Sequence, residues 1–209
     1  MLRCSPLKSA IFQRYEMGFQ GKVSKRLLQG VLATVLVTTS IAGQAGEFND
    51  LLKKASGGDV ESSLMAGKQM LTGKLDQVVP DQMVDLLEPL AQKGNAEAQL
   101  LLAKAYRSGL AGVGKDKKKS FKLLEDAAGK KGKLPEAQYE LGKSYYMGSG
   151  TDRNLIAAYM WTTVSLAGAN DNFAQQAMEQ KKNLAAQLNP EQLKKANELA
   201  LQIKDLYLH

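Results

Sequence analysis

The sequence predicts an all-α fold, an α-solenoid of antiparallel helix pairs, and three observations lead to this prediction. A short pattern recurs along the chain at a nearly fixed period. Within each copy, apolar residues fall at the spacing of one helix face. No alternating strand pattern of any length follows the N-terminal leader. Repeats of this kind pack on their immediate neighbours, so we expect a linear stack of helices.

The recurring pattern is clearest in Ala98–Gly109, which reads AQLLLAKAYRSG, and in Ala137–Gly148, which reads AQYELGKSYYMG. A weaker copy, Ser62–Gly73, reads SSLMAGKQMLTG. The copies are 36 and then 39 residues apart, and they share a small residue, a lysine and a closing glycine at equivalent positions. A period of this length indicates a repeat array of two-helix units.

Each unit is predicted to contain two helices joined by a glycine-rich loop. Ala98, Leu102 and Tyr106 place small and large apolar residues one turn apart on the first helix. The second helices are predicted at Gln82–Lys93, Lys118–Lys130 and Leu155–Leu166. Gly67 and Gly142 share one first-helix position, and a helical glycine costs about 1 kcal/mol relative to alanine. We therefore expect a close helix contact there, with Gly142→Leu destabilising and Gly142→Ala nearly neutral.

The repeats lie between atypical ends. Residues 46–57 are predicted to form a capping half-repeat, residues 58–171 three repeats, and residues 172–209 a closing pair of helices. Residues 1–45 are predicted to form a leader. Its apolar stretch Leu27–Ala42 follows three cations and precedes small residues, which is typical of a secretory signal peptide. We expect cleavage after Ala45, and translation starting at Met17; an uncleaved signal that anchors the chain in the inner membrane is the alternative.

Charge and residue usage narrow the possible functions. Residues 1–45 carry six cations and one acid, whereas residues 46–209 carry 22 cations and 20 acids, so the basic balance belongs mainly to the leader. Nucleic-acid binding is therefore not expected. Cys4 and His209 are the chain's one cysteine and one histidine, which leaves no set of such ligands for a metal. A Ser-x-x-Lys motif occurs as Ser5–Lys8, inside the leader. We predict no catalytic residues, no metal site and no cofactor.

The third copy, Ala137–Gly168, resembles the Sel-1-like repeat, a relative of the tetratricopeptide repeat. Leu141, Gly142, Tyr145 and Trp161 fall on that family's pattern. The resemblance implies a tetratricopeptide-like superhelix that binds proteins or peptides on its first-helix layer. Some disulfide-rich members have been described as penicillin-binding or β-lactam-hydrolysing, but this chain lacks their cysteines. An envelope enzyme or a binding module for peptidoglycan or β-lactam stays open as the alternative function.

The predicted binding surface consists of residues on the first helices that point away from the Ala98, Leu102 and Tyr106 stripe. A lysine recurs there in each repeat, beside an apolar residue one turn earlier. The predicted site residues are Leu64, Lys68, Leu100, Lys104, Arg107, Tyr139, Lys143 and Tyr146. A row of exposed lysines favours an acidic protein or peptide partner, and their replacement should leave stability unchanged. Packing against the next repeat is the competing interpretation, and the basic stretch Lys115–Lys133 is a second candidate surface.

The function predicted from the sequence is therefore that of an exported adaptor or scaffold. It would bind a protein partner in the bacterial periplasm, without a cofactor. Contact with a membrane is expected only through an uncleaved signal anchor.

Overall fold

The computed structural model describes residues 46–73, 81–129, 133–169 and 173–208, and all regular structure in these ranges is helical. The predicted leader lies outside the described residues. Nine helices are described, and they run in the order α1 (residues 46–56), α2 (Val60–Leu71), α3 (Gln82–Gln92), α4 (Ala96–Ser108), α5 (Lys117–Ala128), α6 (Pro135–Met147), α7 (Leu155–Ser165), α8 (Ala174–Ala185) and α9 (Pro190–Leu208). No helix in the described part of the chain is both long and apolar enough to cross a membrane.

The helices begin at short polar residues. The Asp59 carboxylate accepts a hydrogen bond from the Ser62 amide at 2.8 Å, and Asn95 accepts one from the Ala98 amide at 2.9 Å. Asp116 and Asn154 cap α5 and α7 in the same way. Each cap satisfies an amide that the first helical turn leaves without a partner, which fixes where the helix begins.

Consecutive helices pack as pairs: α2 with α3, α4 with α5, and α6 with α7. Each pair also contacts the next one, since α3 packs on α4 and α5 packs on α6. One apolar core joins α1 through α4 and includes Phe48, Met70 and Leu87. A second core joins α4, α5 and α6 around Leu124 and Leu141. The hydrophobic cores therefore lie between repeats as well as within them, as expected of a solenoid.

The small residue shared by the first helices lies at a close helix contact. A Cβ atom built on Gly142 would lie 2.7 Å from Thr162 Oγ1 and 3.1 Å from the Ala158 carbonyl oxygen. At Gly67 the nearest atom would be a Leu87 methyl carbon, also at 2.7 Å. The predicted close helix contact is present, but the prediction that Gly142→Ala is nearly neutral is wrong. Even a single methyl group would meet backbone and a hydrogen-bonded hydroxyl there.

The loops between paired helices depend on glycines at positive φ. Gly109 and Gly148 end α4 and α6 in the left-handed conformation, with φ of 73° and 63°. Gly150 has φ of 81°, and a Cβ atom there would lie 2.0 Å from the Lys117 carbonyl oxygen. The second glycine of this loop therefore packs directly on the start of α5, the second helix of the preceding repeat.

The end helices cover the array on both sides. Phe48 of α1 is 7% exposed and belongs to the core of the first repeat. At the other end, α8 and α9 both pack on α7. Leu184 of α8 and Ala196 of α9 are buried in one cluster with Tyr159.

Candidate functional site

The first helices of successive units are α2, α4, α6 and α8, and the predicted site residues share three positions on the first three of them. Counting from the first residue of each helix (Val60, Ala96, Pro135 and Ala174), they occupy positions 5, 9 and 12. The structure brings these positions onto one side of each first helix, facing the first helix of the next unit. What each residue contacts there differs from the prediction.

Position 5 is part of the packed interior. Leu100 is 3% exposed and lies in a cluster with Leu124 and Leu141, and Leu64 is half-buried against the first core. Tyr139 is 7% exposed and stacks on Phe173, with ring centroids 5.7 Å apart. The prediction that these residues line an open surface is therefore wrong. A first helix in this array has two packed sides, one toward its own pair and one toward the next repeat.

Position 9 carries the lysines, and the structure gives each one a glutamate partner. Lys68 pairs with Glu97, and Lys104 pairs with Glu136 at 2.6 Å. Both glutamates are the second residue of the following first helix. Lys143 instead contacts Glu140 of its own helix at 3.2 Å. Lys68 and Lys104 therefore bridge successive repeats, and all three lysines are paired with a glutamate, so the row does not present free positive charge to a partner.

At position 12, Arg107 makes the most buried of these ion pairs. Its guanidinium lies 2.5 Å from a carboxylate oxygen of Glu140, and the two side chains are 19% and 10% exposed. Burial disfavours the charged carboxylate, but Arg107 and then Lys143 more than offset this, so the pKa of Glu140 lies below its ordinary value. Glu140 is therefore ionised at neutral pH and holds α4 to α6.

Between α6 and α8, no ion pair of the described residues corresponds to the one between Arg107 and Glu140. Tyr146 occupies position 12, and a pocket of about 300 Å³ lies between the two helices. It is lined by Tyr139, Tyr146, Gln176, Glu179, Gln180, Asn183 and Leu184. Two predicted residues, Tyr139 and Tyr146, thus meet in one cavity, and Lys143 lies beside it, whereas the other five predicted residues lie at interfaces closer to the N-terminus.

The pocket is polar, aromatic and partly charged. Glu179 is exposed and makes no ion pair with any described residue. Burial raises the pKa of the Tyr139 hydroxyl, and the nearby carboxylates of Glu140 and Glu179 raise it further. Lys143 lies 5.3 Å from the Tyr139 ring centroid, and Arg153 lies 5.4 Å from that of Tyr146. Both tyrosine rings are therefore held in place by cations at the rim.

The residues that α8 contributes were missed by sequence reasoning, because α8 has lost the glycine and tyrosine pattern of the repeats. One signal was present. Glu179 follows Glu140 by 39 residues, and Lys182 follows Lys143 by 39, the same interval that separates Ala98 from Ala137. Extending the period past the third repeat would have placed Glu179 opposite Tyr146.

The described residues contain no group of three or more histidine, cysteine, aspartate or glutamate side chains able to hold a metal ion. The polar groups that line the pocket are amides, phenols and one carboxylate. Such groups bind by hydrogen bonding, aromatic contact and ion pairing.

The comparisons with known proteins agree with this architecture. The family model described as Sel1 repeat matches residues 96–130, which contain α4 and α5, and residues 135–163, which contain α6 and most of α7. No curated protein matches the chain.

Solved structures also resemble the chain. One is the crystal structure of c5321, a protective antigen present in uropathogenic Escherichia coli strains displaying an SLR fold. It is 25% identical, with a TM-score of 0.67 over 77% of this chain. The chain spans about one third (33%) of the length of c5321. A Sel1 repeat protein from Oxalobacter formigenes is 30% identical, and the match covers 66% of this chain and 98% of that one, with a TM-score of 0.48.

The family match covers the second and third of the three predicted repeats. Sel1 repeat proteins are generally scaffolds for protein–protein interaction rather than enzymes. The chain therefore contains two Sel1 repeats, at residues 96–130 and 135–163.

Proposed function

We propose that this protein is an adaptor that binds a segment of a partner protein in the pocket between α6 and α8, and that it does so in the bacterial periplasm. The observation that carries the proposal is the pocket itself. It opens at the one interface between described first helices where a tyrosine replaces the residues that close the others. Its volume of about 300 Å³ is at the small end of ligand pockets, sufficient for one side chain and the adjoining main chain.

The lining suits a peptide. Gln176 and Asn183 are exposed amides that each offer both a donor and an acceptor, which matches the main chain of an extended segment. Tyr146 adds a half-buried ring with a polar tip, a residue type enriched where proteins bind one another. The amides would fix the direction of the segment, and the ring would supply apolar contact.

A site-specific crosslink tests the binding surface. A photoreactive phenylalanine analogue would replace Asn183 in the pocket, and in a matched variant it would replace Lys118, an exposed residue on α5. After irradiation of intact cells, we expect a partner adduct from position 183 and none from position 118. An adduct from position 118 alone would assign binding to the basic second-helix surface and overturn the proposal.

The export part of the proposal is supported by the leader sequence. We expect the protein in the periplasmic fraction, with an intact mass that corresponds to a chain beginning at or within a few residues of Gly46. Replacing the Met1 codon should not prevent expression from Met17. A purified periplasmic protein that retains Leu27–Ala42 would contradict cleavage and favour the membrane-anchored alternative.

A further inference from the structure

The contact between position 12 of one first helix and position 6 of the next occurs three times in the described chain, with a different chemistry each time. Between α2 and α4, Leu71 packs against the apolar cluster that contains Leu101. Between α4 and α6, Arg107 pairs with Glu140. Between α6 and α8, Tyr146 and Glu179 occupy these positions and line the pocket. The first two contacts are complete, and the third lacks a partner for its carboxylate.

Glu179 is therefore equivalent to Glu140 without its arginine. Lys182 lies one turn further along α8, but these two described side chains form no ion pair. The two cations at the rim are already engaged. Lys143 contacts Glu140, while Arg153 donates to the Tyr146 carbonyl oxygen at 3.1 Å and to Gln187 at 3.2 Å.

We propose that the pocket binds a basic side chain of the partner, an arginine, whose guanidinium takes at Glu179 the place that Arg107 takes at Glu140. This inference rests on the proposed peptide-binding function and names the chemistry of the segment. A planar guanidinium pairs with a carboxylate through two parallel hydrogen bonds and stacks on aromatic rings. The pocket offers both partners, the Glu179 carboxylate from α8 and the half-buried Tyr146 ring from α6. The partner is thus recognised by a positive charge, which reverses the acidic preference predicted from the lysine row.

The test uses small probes on the full mature chain. Binding of N-acetyl-arginine amide is measured by titration calorimetry or by NMR shifts, with N-acetyl-citrulline amide as the neutral probe of nearly the same shape. We expect the arginine probe to bind at least about tenfold more tightly than the citrulline probe, as one charge-assisted hydrogen bond implies. The difference should shrink as salt concentration rises, because the carboxylate is exposed.

Two variants locate the site. Glu179→Gln should remove the preference for arginine, whereas Glu191→Gln, at an exposed glutamate on α9, should leave it unchanged. Tyr146→Arg places an arginine at position 12, as in α4, so it should pair with Glu179 internally. We expect this variant to abolish probe binding while its helical content and melting temperature stay at or above those of the parent.

The outcomes separate this inference from the proposed function. Equal binding of the two probes, or an arginine preference that survives Glu179→Gln, would overturn the arginine assignment. Neither result would affect crosslinking of a partner at position 183. Conversely, arginine binding without any adduct from position 183 would support the charge preference and contradict the adaptor function.

Discussion

At the scale of single residues, the small residue at one equivalent helical position has a different environment in each repeat. Gly67, Ala103 and Gly142 are equivalent in sequence, yet what surrounds each is set by the second helix of its own pair. Gly142 faces Thr162, whose hydroxyl donates to the Ala158 carbonyl oxygen at 2.7 Å and accepts from Gln180 at 2.7 Å. That hydroxyl is fixed on both sides, so it cannot move away from a new methyl group without breaking hydrogen bonds.

Gly142→Ala is therefore expected to destabilise the protein by about 1–3 kcal/mol, the usual cost of overpacking. The matched change is Gly67→Ala. There the nearest atom is a Leu87 methyl carbon that a small side-chain rotation can withdraw, and alanine gains about 1 kcal/mol in helix propensity. Urea unfolding of both variants measures the difference. Equal effects on the free energy of unfolding would show that the neighbouring side chain does not decide the cost.

At the scale of helices, the ion pairs set how one repeat sits on the next. Lys104 and Glu136 have side chains that are 29% and 44% exposed, so the pair itself is worth less than about 1 kcal/mol. Its effect is on register, because the pair joins position 9 of one helix to position 2 of the next. Lys68 and Glu97 repeat the same connection one unit earlier.

Reversing one charge tests this connection. Lys104→Glu places two carboxylates together, and we expect a loss of up to about 1 kcal/mol that salt reduces. The double change Lys104→Glu with Glu136→Lys should restore most of the loss. Melting temperatures of the parent, both single variants and the double variant complete the cycle. Losses that simply add would mean that the two side chains do not interact in solution.

Much of this organisation was predictable from the sequence, and the two main errors have different physical causes. The helices Gln82–Gln92, Lys117–Ala128 and Leu155–Ser165 lie within two residues of their predicted bounds, because the repeat period and helical spacing are local signals. Leu100 was predicted to be exposed but is buried. The prediction assigned one apolar stripe to each first helix, whereas the fold buries two sides of it. The pocket could not be predicted from residues on α6 alone, since five of its seven lining residues come from α8, a helix that does not keep the repeat pattern.

At the scale of the whole molecule, stability depends on pH through a buried carboxylate that joins two repeats. The pKa of Glu140 is lowered from its ordinary value of 4.5, so its ion pairs stabilise the fold above that value and are lost as pH falls through the lower, folded-state pKa. Asp59 also has a lowered pKa, because its carboxylate accepts hydrogen bonds from Ser62 at the start of α2. Both groups make the array less stable in acid.

We expect the free energy of unfolding to decrease as pH is lowered below about 4.5, and Glu140→Gln to weaken that dependence. The variant should also lose about 1–3 kcal/mol at neutral pH, because Arg107 and Lys143 keep their charges without the carboxylate. Asp59→Asn is the comparison variant: it removes the other carboxylate with a lowered pKa, while asparagine can still cap a first helix, as Asn95 caps α4. Denaturant titrations at pH 7 and pH 3 provide the measurement. A pH dependence in Glu140→Gln as steep as in the parent would assign acid sensitivity to other groups.

The pairing of positions between successive first helices has a consequence for how such an array changes length. Position 6 of α2 is Met65, which is 46% exposed because no described first helix precedes it, and position 5 of α8 is Met178, which is 56% exposed because none follows. Each unit carries both sides of the contact between repeats, because position 6 faces the preceding first helix and positions 5 and 12 face the following one. Duplicating 36 to 39 residues therefore adds one complete contact between repeats and leaves the adjoining contacts unchanged.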